Sequence, residues 1–300
     1  MVVIVGELLL DCFPDYRRIG GAPFNVAFHL HHLDVPVRFL SRIGDDEAGK
    51  AILAFLNRHR FPTADIQIDA DRPTGTVEVA LGESGPSYHI VRNVAYDAVE
   101  ATAAVTEALG KHPALFYFGT LIQRTLSGQA AVDHLLAGRH PDTRCLVDVN
   151  LRPGCYSRER VLRSLAAADI LKLSGEERDE IIEICRSEKP EVRSIETMME
   201  AFHIQMVALT LGGDGSRIYT RGKTAAAPAT LPAPFVNSVG AGDGFAAILA
   251  FGLLKGWAPE KIIDAAAGFA SGICSMEGAV PESGFLYEHF LKGVANGSGA

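Results

Sequence analysis

The sequence predicts an α/β protein with a doubly wound, mostly parallel sheet that is flanked by helices. Short apolar runs alternate with helical stretches along almost the whole chain. These runs are nearly continuous in apolar residues, as expected for parallel strands that are covered on both faces. The 300 residues are 48% hydrophobic and 21% charged, a composition that excludes a disordered chain.

Strands and helices are predicted in strict alternation over most of the chain. The predicted strands are 2–6, 37–43, 114–118, 145–149, 170–173, 207–211 and 217–220. The predicted helices are 23–33, 46–58, 126–137, 158–168, 176–186, 195–202, 241–255 and 259–276. In such a sheet, ligands are expected beyond the carboxyl ends of the strands. We expect one domain over residues 1–292 and a flexible tail of small and polar residues over 293–300.

One region departs from this alternation. Residues 74–81 alternate in polarity, residues 82–86 are turn-forming, and residues 87–91 are again extended, which is typical of a hairpin. With the extended piece after the first strand, the hairpin predicts a small β lid formed by about residues 8–19 and 72–92. This lid is also expected to pair two copies of the chain into a homodimer. An edge hairpin of the main sheet fits the same pattern.

Charge and cysteine usage exclude several classes of partner. There are 28 Lys and Arg against 36 Asp and Glu, a net charge of −8 without a basic block, so a nucleic-acid partner is disfavoured. The apolar runs are too short or too broken by Gly to span a membrane. The chain starts without the basic region of a signal peptide. Its five cysteines are scattered and form no CxxC, which indicates reduced thiols and a cytoplasmic protein.

Two patterns resemble sites of other kinds. Residues 44–50 satisfy GxxxxGK, but Ala51 stands where a phosphate-binding loop needs Ser or Thr, and three acidic residues would repel a triphosphate. His29 and His32 share a helix face, but no third metal ligand follows at a suitable spacing. We interpret the first as the start of a helix and the second as packing or solvated residues.

Residues 237–245 are the most informative stretch, because Gly240, Ala241, Gly242 and Asp243 open a long apolar helix. Small residues let a ligand approach the backbone, and the free N–H groups of a helix start favour a phosphate. Asp243 fits two roles. It can charge the helix start, as in many helices, or accept a proton from a nucleophile that attacks the phosphate. Since a carboxylate next to a phosphate site otherwise repels the ligand, the second role is favoured.

This GAGD sequence resembles the signature of the ribokinase-like (PfkB) carbohydrate kinases. Further motifs follow the family's order, from Gly6 to about Gly278: residues 20–27 resemble GG-x-x-x-N, 44–49 resemble GxDxxG, 148–152 resemble the DxNxR of fructokinase-type members, 172–177 resemble KxNxxE, and 210–215 resemble TLGxxG. The sequence departs from the family at Ser174, where KxNxxE has Asn, and at Asn237, where Asp is usual. Because that Asp helps to hold a monovalent cation in many relatives, we expect potassium to have little effect here.

The resemblance implies sugar-binding residues in two parts of the chain. They are Asp11, Gly20, Gly21, Asn25, Asp148 and Asn150. Without the resemblance, Gly20 and Gly21 fit a simple turn, and Asp11 fits an exposed acid at a strand end. Asp148 and Asn150 lie at the end of the predicted strand 145–149, which is where α/β proteins bind their ligands.

The remaining implied residues contact the nucleotide and its phosphates. Arg152 fits either an ion pair with Asp148 or a contact to the transferred phosphoryl group, and the second is favoured. Glu177 fits a simple partner for the helix dipole, and the resemblance implies that it orders the water around an ATP-bound Mg²⁺. Nucleotide contacts are implied for Lys172, Ser174, Thr210, Gly212 and Gly215.

The sequence therefore predicts an ATP-dependent sugar kinase whose partners are a small sugar and MgATP. Asp243 would act as the proton acceptor, and the Gly240–Gly242 amides would hold the charge on the γ-phosphoryl group. The fructokinase-type motifs favour fructose, phosphorylated to fructose 6-phosphate. A ribokinase, a 2-keto-3-deoxygluconate kinase, a nucleoside kinase, and a catalytically silent sugar- or nucleotide-binding protein are the alternatives.

Overall fold

Strands and helices alternate in the computed structural model, which describes residues 1–82, 85–281 and 283–295, except for the side chains of 79–88. The strands are β1 (Val2–Val5), β2 (Leu9–Cys12), β3 (Arg17–Gly20), β4 (Val37–Gly44), β5 (Ile66–Asp69), β6 (Gly75–Gly82), β7 (Gly85–Ile90), β8 (Leu115–Gly119), β9 (Arg144–Asp148), β10 (Ile170–Ser174), β11 (Met206–Thr210), β12 (Ser216–Thr220) and β13 (Lys223–Ala227). The helices are α1 (Ala22–His32), α2 (Glu47–Arg58), α3 (Ala103–Gly110), α4 (Leu126–Gly138), α5 (Arg158–Ala167), α6 (Gly175–Arg186), α7 (Ile195–Phe202), α8 (Ala241–Leu254), α9 (Pro259–Cys274) and α10 (Phe285–Ala295).

The large sheet is mostly parallel, as the sequence predicts. Within the described residues its strand order is β13-β12-β11-β10-β9-β8-β1-β4-β5. Strand β1 pairs in parallel with β4 on one side and with β8 on the other, and the parallel pairing continues through β9, β10 and β11. The pairs β11–β12 and β12–β13 are antiparallel. The carboxyl ends of the parallel strands therefore meet at one edge.

Helices cover both faces of this sheet. The residues of β1 are all apolar because alternate side chains are buried on opposite faces. Val2 and Ile4 belong to one core cluster, which contains residues of α1, α8 and α9. Val3 and Val5 belong to the other, which contains residues of α3 to α7. Successive side chains of a strand point to opposite faces. Burial of each such side chain stabilises the fold by roughly 1.5–3 kcal/mol.

A second sheet stands apart from the first, with the strand order β3-β2-β6-β7. Strand β2 is antiparallel to β3 and parallel to β6, and β6 forms a hairpin with β7. The hairpin is therefore part of a separate small sheet and not an edge of the large one. Residues 83–84, in the predicted turn, lie outside the described residues.

Several elements were absent from the sequence prediction: β5, β13, α3 and α10. Of the predicted tail, residues 293–295 lie in α10, and residues 296–300 lie outside the described part of the chain. None of the described helices combines the length and apolar character needed to cross a membrane.

The two patterns set aside in the sequence have structural roles. Asp46 is the N-cap of α2 and accepts hydrogen bonds from the Gly49 and Thr74 amides. His29 is fully buried, with Nδ1 2.9 Å from the Tyr287 hydroxyl, and burial lowers its pKa to about 3. Both interpretations from the sequence are confirmed.

Candidate active site

Most of the predicted site residues follow strands of the large sheet at its carboxyl edge. Asp148 and Ser174 are the last residues of β9 and β10, and Thr210 is the last residue of β11. Glu7 follows β1 by two positions. Because neighbouring strands are in register, Ser174 lies directly beside Thr210. This edge is where open α/β sheets bind their ligands.

Two helix starts meet above this edge. Asn25, in the first turn of α1, donates from Nδ2 to Oδ2 of Asp243, in the first turn of α8, over 2.7 Å. Asn25 is buried, and its Oδ1 has no hydrogen-bond partner in the described part of the chain. The contact joins the predicted sugar motif to the predicted phosphate-binding motif, which are separated by more than two hundred residues.

Glycine is required at two of these positions. Gly240 precedes α8 with φ +79°, and a Cβ there would lie 2.4 Å from Ala279. Gly21 precedes α1 with φ +109°, and a Cβ there would lie 2.3 Å from the backbone oxygen of Glu7. Only a residue without a side chain fits these left-handed, crowded positions.

The first turn of α8 presents backbone N–H groups, and the Gly244 amide donates to the Gly240 carbonyl over 2.8 Å as in a regular helix. The Ala241 amide donates to the Ser238 carbonyl over 3.2 Å. Asn237 shapes the same loop: its Oδ1 accepts from the Val239 amide, and its Nδ2 donates to the Met276 carbonyl. Both polar atoms of this side chain are thus bound to backbone groups, one within the loop and one after α9.

Asp148 and Lys172 form a buried ion pair below the start of α8. Their charged atoms are 3.1 Å apart, and the Tyr117 hydroxyl also donates to Asp148 over 3.1 Å. Burial raises the pKa of Asp148 to about 6, although the Lys172 charge opposes this. Burial lowers the pKa of Lys172, but the nearby carboxylates outweigh it and hold that pKa above its ordinary value. A Cβ on Gly242 would lie 3.3 Å from Lys172 Nζ, so this cation is adjacent to the predicted phosphate loop.

Asp148 therefore takes Lys172 as its ion-pair partner, and not Arg152, the pairing that the sequence left open. Arg152 is exposed. Burial raises the pKa values of Glu7, Asp11 and Asp243, and the charge of Arg152 opposes that rise.

Acidic groups dominate the side of the site that contains the predicted sugar residues. Burial raises the pKa of Glu7 from 4.5 to about 7 and that of Asp11 from 3.8 to about 6. Burial also raises the pKa of Asp243, against the hydrogen bond from Asn25 and the charges of Lys172 and Arg152. The Asp11 carboxylate fills the space next to Gly20, where a Cβ would lie 2.4 Å from Oδ2.

Glu177 connects the loop after β9 to the start of α6. Its two carboxylate oxygens accept from the Leu151 amide over 2.6 Å and from the Ser174 amide over 2.7 Å. The Ser174 hydroxyl caps α6 by accepting from the Glu177 amide, which completes a capping box. A carboxylate held in this way is fixed beside Asn150 and the end of β10.

The predicted nucleotide residues lie at the ends of β10 and β11. The tight turn after β11 places Gly212 at φ +55° and Gly215 at φ +91°. A Cβ on Gly212 would meet open space, whereas one on Gly215 would lie 2.2 Å from the Ala227 carbonyl. Gly215 therefore serves the turn itself, and Gly212 leaves room above the strand end.

Sequence reasoning missed two groups of this site, Glu7 and Tyr117. Glu7 is 3% exposed, and its Oε2 has no hydrogen-bond partner among the described residues. Its position after a buried apolar strand was the available signal. Tyr117 lies within the apolar strand β8, so the sequence pattern indicates a core residue and does not predict its contact to Asp148.

An acid beside a helix start can accept a proton next to a group that binds there, and the free N–H groups of a helix start favour a phosphate. Comparison with known proteins agrees with this chemistry. The family model described as pfkB family carbohydrate kinase matches residues 11–283. A 5-dehydro-2-deoxygluconokinase from Bacillus anthracis is 27% identical over 251 residues, which cover 80% of this chain and 75% of the relative.

Solved structures show the same fold. A sugar kinase from Pyrococcus horikoshii, described as uncharacterized, matches with a TM-score of 0.80 and 25% identity over 97% of this chain and 96% of that one. Its complex with ATP matches with a TM-score of 0.79 over 93% and 94%. A fructokinase from Vibrio cholerae with fructose, ADP and potassium ion shares the fold at 22% identity, with a TM-score of 0.75 over 96% and 97%. The chain belongs to the pfkB family of carbohydrate kinases.

Proposed function

We propose that this carbohydrate kinase transfers the γ-phosphoryl group of ATP to the terminal hydroxyl of a neutral keto sugar, with fructose as the first candidate. The observation that carries the proposal is the 2.7 Å contact between Asn25 and Asp243 at two converging helix starts. In this proposal Asp243 is the proton acceptor, and the contact supports the proposal because it joins the predicted sugar residues to the predicted phosphate loop.

Asp243 accepts the proton of the sugar hydroxyl while the hydroxyl oxygen forms a bond to the γ-phosphorus and the bond to ADP breaks. Its raised pKa strengthens it as a proton acceptor. Asn25 orients the carboxylate, and the backbone N–H groups of Gly240 and Gly242 stabilise the charge that develops on the transferred group. The Ala241 N–H, which donates to the Ser238 carbonyl, holds the loop in place. Arg152 and Lys172 add positive charge on either side. The proton then leaves from Asp243 to water.

Glu177 suits a role near the metal that accompanies ATP. Its carboxylate is held by two backbone amides at the strand ends where the predicted nucleotide residues lie, and carboxylate oxygen is a ligand or water partner that Mg²⁺ prefers. Mg²⁺ bound with ATP would neutralise phosphate charge. Each carboxylate oxygen of Glu177 accepts one backbone hydrogen bond and has a second lone pair, which would bind that ion or a water molecule around it.

The charge of the sugar side favours a neutral substrate. Glu7, Asp11 and Asp243 are three buried carboxyls that lie near the exposed Arg152. The nearby Lys172 and Arg124 are each paired with another carboxylate, Asp148 and Asp97. A carboxylate on the substrate would add a further negative charge to this group. Fructose offers only hydroxyl and carbonyl groups, which hydrogen-bond to carboxylates and amides at no such cost.

A second candidate substrate is 5-dehydro-2-deoxygluconate, a keto acid of the same length. The 27% identity to the kinase named for it favours this candidate. Arg18 also favours it, since Arg18 lies directly across from Asp11 in the β2–β3 pair and is thus on the same face. Its guanidinium now pairs with Glu277 and would have to leave that partner to bind a substrate carboxylate.

The sheet β3-β2-β6-β7 serves as a lid over the sugar side in this proposal, and two lids pair to form a homodimer. Asp11 on β2 and Gly20 on β3 belong both to this sheet and to the predicted sugar residues, which supports a lid role. Strand β2 also presents Leu9 and Leu10 as buried residues, so the sheet packs on the body of the chain.

Release of ADP from MgATP tests the proposal, with fructose, 5-dehydro-2-deoxygluconate, 2-keto-3-deoxygluconate, ribose, adenosine and fructose 6-phosphate as acceptors. We expect the highest kcat/KM for fructose. A higher kcat/KM for the keto acid would establish the second candidate. ADP release that no sugar stimulates would indicate a binding protein and contradict both.

A further inference from the structure

Glu7 is a buried acid that the proposed mechanism leaves without a task. It follows β1, its side chain is 3% exposed, and its Oε2 is a buried oxygen with no hydrogen-bond partner among the described residues. Buried polar atoms nearly always have a partner, because an unpaired one loses its hydration without compensation. An unpaired oxygen in a ligand site therefore indicates a partner that comes with the ligand.

The pocket around Glu7 includes two of the predicted sugar residues, Asp148 and Asn150. It is lined by Glu7, Ala22, Pro23, Tyr117, Gly119, Thr120, Leu121, Asp148 and Asn150. Two other polar side chains of this lining are engaged within the protein: the Tyr117 hydroxyl donates to Asp148, and the Thr120 hydroxyl donates to the Val149 carbonyl over 2.7 Å. Glu7 is the lining residue whose buried oxygen lacks a partner in the described part of the chain.

We propose that Glu7 is a substrate-binding residue whose buried carboxyl oxygen hydrogen-bonds a hydroxyl of the sugar at the floor of the pocket. This inference rests on the proposed function and deepens it. The floor contact sets the depth of the sugar, so that the hydroxyl to be phosphorylated reaches Asp243 at the mouth. Asn25, with its unpartnered Oδ1, offers a second anchor between the two.

The charge of Glu7 also makes the site sensitive to pH near neutrality. Burial is the main cause that raises its pKa to about 7. A hydrogen bond to its own backbone and the charges of Arg152 and Arg124 oppose this rise, and the charge of Asp243 adds to it. The titratable or charged groups that face it are Tyr96, Tyr117, Arg124, Arg152 and Asp243. Below neutrality Glu7 is a neutral acid that both donates and accepts. Above neutrality it becomes an anion, which still accepts a hydrogen bond from the sugar but no longer donates one.

Steady-state kinetics of the full chain with Glu7→Ala and Glu7→Gln test the proposal, using the sugar that the wild type phosphorylates best. Glu7→Ala should raise the sugar KM about tenfold and leave the ATP KM nearly unchanged. Glu7→Gln mimics the neutral acid, so its sugar KM should stay near that of the wild type. The decline of kcat/KM above about pH 7 should shift to higher pH in this variant, because no group ionises at position 7. Glu47→Gln, at an exposed position on α2, is the matched control and should change none of these values.

An unchanged sugar KM in Glu7→Ala, or a parallel rise of the sugar and ATP KM values, would overturn the proposal. If Glu7→Ala fails to fold, an unchanged pH profile in Glu7→Gln has the same consequence. A wild type that phosphorylates none of the sugars refutes the proposed function instead. In that case calorimetry with the same sugars tests whether Glu7 binds them. Equal sugar affinities of the wild type and Glu7→Gln, both below and above neutral pH, would overturn the proposed role of Glu7.

Discussion

Replacement of Asp243 by Asn removes the proton acceptor and keeps the shape of the side chain. The Asn25 amide, which now donates to Asp243 over 2.7 Å, still finds an oxygen in the new side chain. A positioned general base contributes roughly 10²–10⁴ in rate. We therefore expect Asp243→Asn to lower kcat by about this factor, measured as sugar-dependent ADP release.

The same substitution should leave the fold intact. Burial raises the pKa of Asp243, so the fold disfavours its ionised form, and this destabilising contribution grows as the pH rises above the ordinary aspartate value. A neutral amide has no such cost, and the Tm of Asp243→Asn at neutral pH should equal or exceed that of the wild type. ATP affinity should stay nearly unchanged or increase slightly, because a negative charge near the phosphates is lost.

Asp142→Asn provides the control, since Asp142 is exposed and precedes β9 at the opposite end of the sheet. It should keep the wild-type kcat. If Asp243→Asn also kept a near-normal kcat while it remained folded by circular dichroism, Asp243 would be a helix-start residue only, and the kinase mechanism would lose its proton acceptor.

Four further predictions concern the site and the lid. Gly240→Ala should lower kcat more than about tenfold and reduce the Tm, because the new Cβ would lie 2.4 Å from Ala279 at a positive φ. Gly110→Ala, at the end of α3, should change neither, because its Cβ would lie 3.9 Å from the Gly138 carbonyl oxygen, an ordinary contact distance. EDTA should abolish activity and excess Mg²⁺ restore it, and full activity in EDTA would contradict this expectation. Potassium should have little effect, because both polar atoms of the Asn237 side chain are bound to backbone groups of Val239 and Met276; a large potassium-specific activation would contradict this. Light scattering at micromolar concentration should show a homodimer, and a monomer would remove the proposed pairing of lids.

Local patterns predicted most of the large sheet because its strands are apolar and its helices have clear starts. The elements that were missed had weak or overlooked local signals. Strand β13 contains three alanines, which favour helices over strands, and it forms because its backbone pairs in register with β12. Strand β5 has only four residues and pairs along the edge of β4. Helix α10 differs from these strands, because the spacing of its apolar residues is already typical of a helix in the sequence.

The sequence by itself determined the family and the chemistry of the site, because motifs such as Gly240 to Asp243 need particular residue types in a fixed local order. Only the tertiary structure decided which charges act together. Asp148 and Lys172 become partners because β9 and β10 are adjacent and in register, and Asn25 reaches Asp243 because α1 and α8 begin side by side. In the sequence, Glu7 is not distinguished from other acids that follow strands. Its raised pKa, and the lack of a partner for its Oε2 among the described residues, depend on burial and on distant residues, which local sequence does not encode.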